Sequence, residues 1–172
     1  MNPIRSIGSS VLSHSTKPSI RCPTIARALS VMSQPRFSPG TNEAAAAETV
    51  SGLVTPMGLW SLTKDGQALE RTFKFKTFGK TWDFMTAVSL QCKLKNHHPE
   101  WSNVYNTTFI RWTTHSPKGL SEKDITLASL CDAIAKDFGE LEPESGSQSC
   151  SLTGLADQVV TSAGTDCCTP KK

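Results

Sequence analysis

His97, His98 and His115 are three of the four histidines in this 172-residue chain, and the first two are adjacent. Imidazole is the side chain that gains and loses a proton near neutrality, so histidines gathered on a short stretch suit general acid–base catalysis. The run continues as Pro99-Glu100-Trp101, and Asp124 follows the third histidine. Proline biases the residue before it away from helical geometry, so His98 is expected at a corner where a helix gives way to a strand. Rigid elements on both sides of such a corner hold its side chains in place.

Zinc is the rival chemistry, because it takes three or four His, Cys or carboxylate ligands. Against it, the side chains of adjacent residues usually point apart, and no cysteine lies beside the pair. A serine or cysteine nucleophile paired with one histidine is a further alternative. However, no Gly-x-Ser-x-Gly elbow occurs, and Cys92 falls on an apolar helical face. A phosphate-binding glycine loop is also missing, so no nucleotide cofactor is indicated.

The elements that must position these residues read clearly. Asn42–Leu53 is alanine-rich, with Asn42 placed to cap a short helix. Trp60–Phe78 reads as a hairpin turning at Lys64-Asp65-Gly66, with Leu69, Arg71, Phe73 and Phe75 keeping a period of two. Arg71 is the polar intruder on that face. Lys80–Lys95 is a helix by its Phe84, Met85, Val88 and Cys92 stripe, ending at Asn96 immediately before the histidine pair. Trp101–His115 is a second hairpin, and Ser121 opens a last helix whose Leu127, Leu130, Cys131, Ile134 and Phe138 form an apolar stripe up to Gly139. The order α-β-β-α-β-β-α predicts an α+β fold, a four-stranded antiparallel sheet with helices packed on one face.

Three regions follow: a leader over 1–41, a domain over 42–140, and a polar tail over 141–172 read as disordered, although LTGLADQVV (152–160) is able to form a short helix. No acidic residue occurs from Met1 to Asn42, while Arg5, Lys17, Arg21, Arg27 and Arg36 are basic. Ile4, Ile7, Val11 and Leu12 recur there at helical spacing, the composition of an organelle transit peptide. A mitochondrial destination is expected, with a cytoplasmic or nuclear form if translation starts at Met32. The formal net charge is only +3, which gives no reason to expect direct nucleic-acid binding, and no apolar run reaches bilayer length. The six cysteines form no Cys-x-x-Cys pair, so a reduced, intracellular protein is expected. The tail pair Cys167-Cys168 is read as incidental, with lipid attachment or metal binding as the alternatives.

The stretches FKFKTF (73–78), FMTAV (84–88), NHHPEWSNVYN (96–106), TTH (113–115) and GLSEKDITLAS (119–129) together resemble the pterin-4a-carbinolamine dehydratases. The resemblance covers the predicted domain and neither end. It implies dehydration of 4a-hydroxytetrahydropterin to quinonoid dihydropterin, a step in recycling the cofactor of aromatic amino acid hydroxylases, with no metal or cofactor of the enzyme's own. It implies that His97, His98 and His115 line the pterin site and share the proton transfers. Trp101 would be a wall for the aromatic ring, Asn96 a further contact, and Asp124 would orient a histidine or hold the pterin. Homodimers or homotetramers are implied, with the Leu127–Phe138 helix as the expected contact. Animal members also serve a homeodomain transcription factor as dimerisation cofactors, so a non-catalytic dimerisation module is the alternative function. Lys93 and Asn96 stand where members often carry acids, which removes negative charge beside the imidazoles.

Overall fold

The computed structural model describes residues 33–54, 58–142 and 150–163. Helix α1 (Glu43–Val54) starts where the Asn42 side chain accepts from the Ala45 amide, as its sequence position predicts. Strands β1 (Ser61–Leu62) and β2 (Leu69–Lys74) form the first hairpin. Helix α2 (Phe78–Lys95) begins two residues before the expected start, because the Thr77 hydroxyl caps the Lys80 amide. It ends at Asn96, which takes the left-handed conformation at φ 48°. Strands β3 (Glu100–Val104) and β4 (Thr107–Trp112) make the second hairpin. A separate small hairpin follows, β5 (Thr114–His115) and β6 (Lys118–Gly119), and then helix α3 (Glu122–Phe138).

The antiparallel sheet has the order β1-β2-β4-β3. Its register puts Leu69 opposite Trp112, Arg71 opposite Ile110 and Phe73 opposite Thr108, all buried. This face packs against α2 and α3 through Phe84, Val88, Leu127 and Cys131, and Ala46 and Val50 of α1 join the same core. Arg71 is tolerated there because its guanidinium reaches Asp132 and Glu140 on and beyond α3, and lies over the Phe73 ring. Trp60 Nε1 donates to the same Asp132 at 2.8 Å.

The α3 stripe serves the chain's own core: Leu127, Ala128, Cys131 and Ala135 are fully buried, and the partly buried Leu130, Ile134 and Phe138 pack against the same cluster. In addition, the 141–172 stretch contains a helix, α4 (Cys150–Ala163), over the LTGLADQVV segment. It packs on the sheet face opposite α1–α3, where Ala156 covers Phe109 and Asp157 meets Arg111 at 2.7 Å. Among the described residues, no helix is long and apolar enough to cross a membrane.

Candidate active site

The αL turn at Asn96 places His97 and His98 between the end of α2 and the start of β3, and the β5–β6 hairpin carries His115 to meet them. Ring centroids are 6.3 Å apart for His97 and His98 and 5.9 Å for His98 and His115, with planes within 28° of each other. Asn96 and the three imidazoles line one open cleft of about 560 Å³, whose other walls come from Ser38–Thr41, Thr114, Ser116 and Ser121–Lys123. Adjacent in sequence, His97 and His98 nonetheless face the same space.

Asp124 does not reach the cleft. It is fully buried behind His97, with Oδ1 2.6 Å from His97 Nε2. Its Oδ2 accepts from the Thr114 hydroxyl at 2.7 Å and from the Ser121 amide and hydroxyl, each at 2.8 Å. Burial alone would push this carboxyl up. The hydrogen bonds from His97, Thr114 and Ser121 outweigh burial and hold it below its ordinary 3.8. The geometry ties Asp124 to the His97 ring rather than to the open space of the cleft.

Trp101 is not a wall of the cleft. On β3 it pairs with Ile110, and the alternation of the strand turns it toward the core. The indole beside the histidines is Trp112, fully buried at the end of β4, whose ring stacks on His97 at 5.9 Å. Its contact with His97 depends on where α2 ends against the sheet. Glu100, part of the histidine run but given no role from the sequence, has its Oε1 3.3 Å from His115 Nε2.

Residues 33–41, grouped with the leader by their lack of acid, run along the domain. The Arg36 amide donates to Gly66, Ser38 donates to Leu120, and Phe37 bridges Leu120. Gly66 (φ 73°) and Gly119 (φ 138°) permit this approach, since a Cβ at either would stand 2.0 or 2.7 Å from the backbone of this segment.

Burial raises the Cys92 thiol to about 11 and places Cys131 well above the usual thiol range, so neither is poised as a nucleophile. Among the described residues no group of three or more His, Cys, Asp or Glu is arranged to hold a metal ion.

The fold is an α+β sandwich with three near-parallel imidazoles gathered on one cleft. Residues 41–134 match the family described as pterin 4 alpha carbinolamine dehydratase, and the chain belongs to that family. A Novosphingobium aromaticivorans protein named as a pterin-4-alpha-carbinolamine dehydratase is 43% identical over 82 residues, 48% of this chain and 85% of its own length. One from Mesorhizobium japonicum bearing the same name is 38% identical over 88 residues, 51% and 90% of the two chains. A solved transcriptional coactivator/pterin dehydratase from Brucella melitensis is 37% identical, with a TM-score of 0.47 over 54% of this chain and 95% of its own.

Proposed function

We propose that this chain dehydrates 4a-hydroxytetrahydropterin to quinonoid dihydropterin by histidine acid–base catalysis. The observation that carries the reading is the convergence of His97, His98 and His115 on one cleft in near-parallel array. A flat bicyclic ring suits such an arrangement. The C4a hydroxyl leaves as water only when protonated, and N5 gives up its proton as the C=N bond forms. One imidazolium therefore donates to the leaving oxygen, and one neutral imidazole accepts from N5, so the net change is loss of one water. Asp124 on Nε2 of His97 orients that ring and favours a proton at Nε2, leaving Nδ1 as its acceptor. The purified chain should accelerate carbinolamine dehydration in a stopped assay; a rate equal to buffer would overturn the reading.

The same reading includes a second copy of the chain, seated on α2 rather than α3. Phe78, Trp82, Leu90 and Leu94 lie on one i+4 row of α2 and are each about half exposed or more. Phe78 and Trp82 stack at 5.4 Å, which makes the start of this row a continuous aromatic surface. We further propose mitochondrial import directed by the acid-free leader, with removal upstream of Arg36 so that the cleft wall survives. A fluorescent reporter fused behind Met1–Val31 should enter mitochondria; diffuse cytosolic signal would reject this.

A further inference from the structure

The acid–base reading gives His97 an orienting carboxylate but assigns none to His115. Glu100 on β3 stands where one would be needed, with its side chain 9% exposed and Oε1 3.3 Å from His115 Nε2. Its other oxygen, Oε2, accepts from Arg111 Nη1 at 3.1 Å. Arg111 on β4 is the direct cross-strand partner of both Glu100 and Glu70, and its Nε donates to Glu70 at 2.6 Å. Its Nη1 also meets Asp157 of α4 at 2.7 Å. Four charged residues from β2, β3, β4 and α4 thus form one chain of contacts that ends at a cleft histidine.

We infer that Glu100 is a positioning residue for His115, held in place by Arg111, and that α4 acts on the site through Asp157 on the same guanidinium. The inference rests on the dehydratase reading and deepens it. A carboxylate this sheltered needs a partner, and the guanidinium supplies one without neutralising it fully, because Arg111 also serves Glu70 and Asp157. Glu100 therefore keeps negative charge for the histidine. That charge favours a proton on the His115 nitrogen facing it, Nε2, and leaves Nδ1 as the acceptor. The other groups around His115 are the His98 ring at 5.9 Å and Lys118, its cross-strand partner in the small hairpin. Neither offers a carboxylate, and among the described residues Glu100 is the acid that pairs with His115. Neutralising Asp157 leaves Arg111 with one competitor fewer and draws Glu100 away from His115.

The test is Glu100→Gln in the full chain, read by steady-state dehydration and by 15N NMR of the imidazoles. The amide keeps the size of the side chain and its bond to Arg111 but removes the charge. Expected are a roughly tenfold to hundredfold fall in kcat with KM within about twofold, and movement of the His115 nitrogen signals toward a mixed tautomer. The His97 signals, governed by Asp124, should stay. Asp157→Asn should shift the His115 signals in the same direction and lower kcat about twofold to fivefold, as suits a half-exposed partner. An unchanged kcat in Glu100→Gln would overturn the inference, and so would a fall in kcat with the His115 signals unmoved. Silence of those signals in Asp157→Asn would overturn the part played by α4. If the wild-type chain does not dehydrate the carbinolamine, the functional reading fails, while the NMR response of His115 still decides the role of Glu100.

Discussion

The two ends of the cleft hold their histidines by different means. At one end, Asp124 is fully buried, 2.6 Å from His97, and also caps α3 by accepting from Ser121. At the other, Glu100 is 3.3 Å from His115, on a strand edge, and belongs to a charge cluster on the outer face of the sheet. The first pair is built into the fold, since removing His97 strands the buried Asp124, and removing Asp124 uncaps α3. The second can change without disturbing the core. Structure and chemistry are therefore coupled at His97 and separable at His115.

The largest expected effects test the site as a whole. His97→Ala, His98→Ala and His115→Ala should each lower the dehydration rate by roughly ten- to ten-thousandfold. The comparison sharpens when stability is measured on the same variants by urea unfolding. His97→Ala strands the buried Asp124 and should cost about 2–3 kcal/mol, whereas His115→Ala should stay within about 1 kcal/mol. Equal losses in the two variants would break the distinction.

Asp124→Asn should come next, lowering the rate by roughly a hundredfold and costing about 1–3 kcal/mol of stability. It also has a pH signature. The folded carboxyl titrates below its ordinary 3.8, so Asp124 lends stability above that value. This contribution is lost as pH falls through the lower, folded value. Acid unfolding monitored by circular dichroism should therefore show a component below about pH 4 in the wild type that is missing from the variant.

A smaller effect is expected from a chain that starts at Asn42. Ser38–Thr41 walls the cleft. KM should rise roughly three- to tenfold with kcat nearly unchanged, because a wall contributes to binding rather than to proton transfer. A fall in kcat alone would show that the segment positions one of the pairs. The smallest effect on either pair should follow Trp82→Glu and Leu94→Lys on α2. Light scattering at micromolar concentration should show the mass of a single chain for the double variant and a multiple of it for the wild type, with the pH profile of dehydration unchanged.

Much of this was legible in the sequence because it is local. Period-two and period-3.6 patterns reported which side of each strand and helix meets the core, and Asn42, Ser121, Asn96 and Gly139 marked helix ends by their own backbone and side-chain chemistry. The histidine types and their spacing pointed to proton transfer, and the quoted motifs to the family that the comparisons established. What the sequence did not disclose depends on contacts between distant residues. Trp101 and Trp112 are both on strands at inward positions, and only the end of α2 against the sheet decides that Trp112 stacks on His97. Composition grouped residues 33–41 with the leader, whereas hydrogen bonds to Gly66 and Leu120 join them to the cleft. The broad stripe of α3 could not report whether its partner lay inside the chain or in a second copy, because burial by either leaves the same pattern. The two carboxylates were visible from the start, but which histidine each one faces was set by strand register and helix packing.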